Sequence, residues 1–237
     1  MRQIDIASSY LDALASRDPN LVPFTSDARR VNNGRPSATG ADALREGIRN
    51  EPPLDFGAGR RWVVNGDEVA VFYELAADMG KGAPIPVGIG ERFLLRDGAI
   101  CEIEAVHATG PGLPTDWLDS TATSDGDPGV EAAARAYLDA LVSHDAAGLP
   151  LADDVRRMEN GQMTGSGPVD LRASLESDVM LSVQATSDEH WLLAGDSAVV
   201  FYSLLAKFGD DTMLVRIAER FRVRAGEITE IEAIFAA

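Results

Sequence analysis

A single cysteine, Cys101, stands in the 237 residues, so neither an internal disulfide framework nor a cysteine-based zinc site can be built. The three histidines, His107, His144 and His190, are scattered, and no HxxxH or HExxH pattern joins them. Metal binding therefore has no ligand spacing to rest on. There is no GxSxG, and the glycines of GQMTGSG at 161–167 do not follow a strand-to-helix phosphate motif. Nucleophilic catalysis and nucleotide binding stay without support, and no cofactor is expected. No run of 18 apolar residues occurs, which excludes a transmembrane helix. The start, MRQIDIASSYLDALASRD, lacks a positive patch followed by an unbroken apolar core, so it does not read as a signal peptide. Basic residues are also scarce: 21 Lys and Arg against 38 Asp and Glu leave a net charge of −17. That balance excludes the basic surface that nucleic acid or an anionic membrane requires. What is present is ordinary for a globular chain, 45% apolar and 25% charged. A cytoplasmic setting is expected.

The chain repeats itself. YLDAL occurs at 10–14 and at 137–141. DARRVNNG at 27–34 matches DVRRMENG at 154–161, and NGDEVAVFYELAA at 65–77 matches AGDSAVVFYSLLA at 194–206. GERFLLRDGAICEIEAV at 90–106 matches AERFRVRAGEITEIEAI at 218–234. A period this long means two copies of a domain rather than a short solenoid repeat. The expected units are 1–108 and 130–237. Between them, 109–129 is dominated by Gly, Pro, Ser, Thr and Asp and reads as a linker, with Trp117 and Leu118 able to pin its middle.

In the second copy, Val130, Ala133, Ala134, Tyr137, Leu138, Leu141 and Val142 recur at steps of three and four, the stripe of one helix, which His144, Asp145 and Gly148 end. A second helix is predicted over 169–178, entered through Pro168, with Leu171, Leu175 and Val179 as its stripe. Strands follow at 190–194, 198–206, 213–224 and 227–236, folded at Gly195-Asp196 and Ala225-Gly226. Helices first and an antiparallel sheet afterwards is an α+β pattern, in which each sheet curls around its helices and leaves a cavity.

Alternation along the ERF strand isolates one group. Val215, Ile217, Glu219, Phe221 and Val223 share a face, so Glu219 is the one ionisable group among apolar neighbours. Val87, Ile89, Glu91, Phe93 and Leu95 repeat the arrangement. A carboxylate there is hydrogen-bonded, protonated or functional. On the last strand of the first unit, Cys101, Ile103, Ala105 and His107 share a face, matched by Thr229, Ile231, Ala233 and Phe235. A histidine so placed can act as a base near neutral pH, or be structural or solvated. Trp62 and Trp191 occupy matching positions and are candidates to fill the interiors.

The order helix, YLDALxSxD, short helix, then hairpins ending in ERFxxRxGxIxEIEA resembles the ketosteroid-isomerase-like superfamily, with its SnoaL-like and nuclear-transport-factor-like members. The resemblance covers nearly all of both units. It implies two tandem cone-shaped domains, packed through their sheets as an intramolecular pseudo-dimer that leaves the chain monomeric overall. It also implies a cofactor-free acid–base enzyme, of isomerase, cyclase or lyase type, acting on a small apolar carbonyl compound. Epoxide hydrolysis and non-catalytic ligand binding are the alternatives the superfamily leaves open. By the same resemblance, Tyr137 and Tyr10 stand where the oxyanion-hole tyrosine does, Glu159 and Asn32 where the general base does, and Glu219 and Glu91 where the protonated acid does. The first unit would then lack its base, and His107 would compensate. Arg29, Arg30, Arg156 and Arg157 recur in both copies, and one of each pair is expected to meet an acidic neighbour.

Overall fold

The structure, a computed structural model, describes residues 2–80, 82–110, 119–177 and 180–236. Trp117, Leu118 and Val179 lie outside the described residues.

Each unit opens on a helix that buries one stripe. In the first unit α1 (Arg2–Ser16) buries Ala7, Tyr10, Leu11 and Leu14. Its counterpart α3 (Pro128–Ser143) is started by Asp127, whose side chain accepts from the Gly129 N–H, with Pro128 in the first turn. His144 ends it in the left-handed conformation. The second helices, α2 (Ala41–Asn50) and α4 (Gly167–Leu175), bury Leu44 with Ile48 and Leu171 with Leu175.

The strands of the first unit are β1 (Phe24–Asn32), β2 (Arg35–Thr39), β3 (Leu54–Phe56), β4 (Arg61–Asn65), β5 (Glu68–Ala77), β6 (Ile85–Arg96) and β7 (Ala99–Thr109). A short strand, β8 (Ser120–Ala122), pairs with β4 from within the segment read as linker. The second unit has β9 (Leu151–Glu159), β10 (Gln162–Ser166), β11 (Val183–Ala194), β12 (Ser197–Phe208), β13 (Asp211–Arg224) and β14 (Glu227–Ala236). The sheets run β2-β1-β7-β6-β5-β4-β8, with β3 on β5, and β10-β9-β14-β13-β12-β11. Each is a curved sheet wrapped on its helices, and the chain is α+β with two tandem units. The sheets are mixed rather than purely antiparallel, because β1 runs parallel to β7 and β9 parallel to β14. Those strands escape a reading by alternation: FTSDARRVN is charged and its pairings are bulged, so no two-residue period survives.

The outer faces of the two sheets pack on each other. Val63, Ala70, Phe72 and Val106 of the first meet Leu192, Val199, Phe201, Ala218 and Ile234 of the second in one apolar cluster. At Gly90 the approach is so close that an added Cβ would stand 2.5 Å from that of Ala218. Of the arginines that alternate with the ERF residues, Arg92 and Arg220 are buried at this seam and Arg216 is partly buried there. Glu104 accepts from Arg92 of its own unit at 3.3 Å and from Arg216 of the other at 2.8 Å. Glu232 accepts from Arg220 of its own unit at 3.1 Å and from Arg61 of the other at 2.8 and 2.7 Å. Burial alone would raise Glu232, but Arg61 and Arg220 outweigh it and hold the carboxyl below its ordinary value. Such a network favours one docking geometry, since a misplaced unit would leave buried charges unpaired.

Candidate active site

The hydrophobic face of the second sheet and helix α3 enclose a cavity of about 280 Å³. Alternation along β13 carries Glu219 into it between Ile217 and Phe221. Glu219 is fully buried, and the Tyr202 hydroxyl, one strand away on β12, donates to its Oε2 at 2.9 Å. Burial pushes the carboxyl up to about 8; Tyr202 and Arg157 pull it down and Glu159 pushes it further up. Glu219 is therefore mostly protonated at neutral pH.

Strand β9 supplies the second carboxylate. Glu159 ends this strand immediately before the Asn160-Gly161 turn and lines the same cavity. Arg157, two residues earlier on the same face, lies 3.5 Å from Glu159 through Nε. Arg157 also donates from Nη1 to the Tyr137 hydroxyl at 3.2 Å and from Nε to Thr164 Oγ1 at 3.0 Å. Tyr137 comes from α3, is buried, and packs edge-on against Phe221 at 5.3 Å. Burial raises its phenol well above the ordinary value. The structure thus brings Tyr137, Glu159 and Glu219 around one apolar space.

The first unit has the same frame with different contents. Tyr73 donates to Glu91 Oε2 at 2.9 Å, and burial raises Glu91 above its ordinary value. Asn32 stands where Glu159 does, and Ser37 stands where Thr164 does; the Ser37 hydroxyl donates to the Arg30 carbonyl instead. Without those two partners, the Arg30 guanidinium lies 3.8 Å from Glu91 and 5.7 Å from the centre of the Tyr10 ring. Tyr10 Oη, Arg30 Nε, Asn32 Oδ1 and Glu91 Oε1 are buried with no hydrogen-bond partner. Phe56 of β3 stacks on Tyr73, ring centres 5.7 Å apart, where the second unit presents Ala185 and Thr186 opposite the matching strand. His107 is half-buried, and burial, then Arg30, lower its imidazole below the ordinary value.

Several expectations are corrected. Cys101 and Thr229 do not face the interiors. Each sits at a bulge, and their side chains donate to the carbonyls of Leu94 and Arg222. The bulge shifts the alternation, so Ile100 and Ile228 point inward instead. Trp62 belongs to the first core, and Trp191 packs half-buried against the second, with the Arg135 guanidinium 4.4 Å from its ring centre. Of the repeated arginines, Arg29 meets Glu102, whereas Arg30 and Arg157 turn inward. Tyr202, Tyr73 and the inward role of Arg157 escape the sequence reading. The VFY word in both copies carried the signal for the tyrosines, because Val200, Tyr202 and Leu204 alternate toward the core.

Among the described residues no helix is long and apolar enough to cross a membrane. No curated protein matches the sequence. Solved structures similar to this chain cover about one unit of it. An epoxide hydrolase of the LEH-like type from M. tuberculosis is 19% identical, covering 46% of this chain and 83% of that one, with a TM-score of 0.41. A candidate ketosteroid isomerase from Kribbella flavida DSM 17836 is 22% identical, covering 48% and 82%, with a TM-score of 0.40. A candidate SnoaL-like polyketide cyclase from Jannaschia sp. CCS1 is 17% identical, covering 45% and 85%, with a TM-score of 0.40. Other neighbours are described as NTF2-like proteins. A family model described as a domain of unknown function, DUF8021, matches residues 1–107 and 125–235, and the chain belongs to that family.

Proposed function

We propose that the second unit is a cofactor-free acid–base site for a small, largely apolar carbonyl compound, and that the first unit serves as its packing partner. The units are taken as 1–108 and 130–237, joined through 109–129. One observation carries the reading: two carboxyl groups share a single apolar cavity in different surroundings. Glu219 is held protonated by burial, with a pKa of about 8, while Glu159 is paired with Arg157. Environments that separate two carboxyl groups in this way mark an acid and a base.

In the proposed reaction Glu159 takes a proton from the carbon next to the carbonyl. The developing oxyanion accepts hydrogen bonds from the Tyr137 hydroxyl and from protonated Glu219. Tyr202 already donates to Glu219 Oε2, which leaves Oε1 to carry the acid proton. Arg157 donates to the Tyr137 oxygen, which leaves the phenolic hydrogen for the substrate. Return of the proton from Glu159 to another carbon completes an isomerisation; loss of a leaving group completes an elimination. The same pair suits epoxide opening, with Glu219 protonating the ring oxygen and Glu159 activating water. Turnover on matched ketone and epoxide panels decides between them. Glu159→Gln should abolish most of it; unchanged turnover would remove Glu159 as the base. Binding without turnover on either panel would leave a ligand carrier.

A further inference from the structure

The cavity of the second unit is longer than a compact ring compound needs. Its walls are every second residue of β12 from Tyr202 to Phe208 and of β13 from Met213 to Glu219. Six residues of strand span about 20 Å. The groups able to do chemistry, Tyr137, Glu159 and Glu219, all lie at one end. The other end reaches solvent at Phe208 and Met213, which are 47% and 36% exposed. In the first unit β5 stops at Ala77, the counterpart of Ala206, two residues short of this extension, and Met79 and Ile85 are exposed at the matching hairpin. Large apolar side chains left exposed on a trough continuous with a polar end call for an apolar occupant. A net charge of −17 and the nearby Glu159 carboxylate disfavour an anionic head, whereas Tyr137 and Glu219 offer donors to a neutral oxygen.

We propose that the second unit takes a single-chain apolar ligand with a neutral oxygen head, a long-chain ketone or aldehyde. The head sits at Tyr137 and Glu219, and the tail lies along β12 and β13 out to Phe208 and Met213. The placement of the head rests on the acid–base reading; the course of the tail does not.

The test is a calorimetric series of 2-alkanones, from 2-butanone to 2-dodecanone, on the full chain. Kd should fall roughly threefold per added methylene until the trough is filled. Phe208→Asp and Met213→Asp, both at exposed positions, should weaken 2-butanone less than about twofold and 2-decanone tenfold or more, with the circular dichroism spectrum unchanged. A flat series in the unsubstituted protein, or an equal loss at every chain length in both variants, would overturn the proposal. So would a dimer that Phe208→Asp turns into a monomer while the length series stays as it was, since the exposed tip would then be a contact between copies. A steep series with full turnover in Glu159→Gln would overturn the acid–base reading and keep the tail. A flat series with turnover lost in Glu159→Gln would do the reverse.

Discussion

The two units share a helix start, a hairpin order and a buried Tyr–Glu pair, yet the second encloses a cavity beside that pair, whereas the first turns an arginine toward its glutamate and stacks Phe56 on its tyrosine. Three local changes account for the difference. Glu159 and Thr164 hold Arg157 against the wall beside Tyr137, whereas Asn32 and Ser37 release Arg30 toward Glu91. Phe56 covers Tyr73, while smaller side chains stand at that register in the second unit. The comparison teaches that a duplicated acid is not a duplicated site. A buried glutamate bonded to tyrosine comes with the frame, and the second carboxyl group beside it comes from a strand that the copies do not share residue for residue.

The sharpest break of this comparison is kinetic. Glu159→Gln should lower turnover by about 10²–10⁴-fold, as loss of a general base does, while Asn32→Ala in the first unit should leave it within about twofold. Steady-state rates on the ketone panel check both, and an equal loss in both variants would put chemistry in the first unit as well. Next comes the seam. Arg61→Met leaves Glu232 buried beside one arginine instead of two and should cost about 3–5 kcal/mol in urea unfolding of the full chain. A loss under about 1 kcal/mol would mean that the units do not depend on this contact for stability.

The pH dependence follows with its sign. Glu219 keeps its proton in the folded chain up to about pH 8, whereas the unfolded chain loses it near 4.5. The folded state binds more protons at Glu219 across that window, so this group's contribution to stability is full below about 4.5 and is lost as pH rises toward 8. Glu219→Gln should flatten the decline in melting temperature between those values. Glu91 is raised in the same direction, so Glu91→Gln should flatten part of it too. An unsubstituted chain with no decline over this range would contradict both assignments. The smallest effect is a gain. Phe56→Ala combined with Asn32→Glu should open the first interior and raise the alkanone stoichiometry from one toward two. Titration calorimetry reads that number, and a value fixed at one would show that more than these two side chains closes the first unit.

Much of this architecture was legible in residues. The repeated words revealed two units, the three- and four-residue steps placed α3, and alternation in ERFRVR put Glu219 on the core side. The limits were equally physical. Strands β1 and β9 carry bulges and charges, so their pairing, parallel to the last strand, left no period to read. Bulges at Cys101 and Thr229 reversed an inward assignment, because one extra residue swaps the faces of everything before it. For Arg156 and Arg157 the choice of partner stayed open, since nothing local says which of two adjacent arginines turns inward.

By itself the sequence determined the duplication, the α+β order and the presence of one acid on each apolar sheet face, because these depend on period and local propensity. Only the tertiary structure decided that Arg157 clamps Tyr137 and Glu159, that Phe56 lies over Tyr73, and that Glu104 and Glu232 each meet an arginine from the other half of the chain. Those outcomes depend on distances between residues far apart in the chain, which no window of sequence contains.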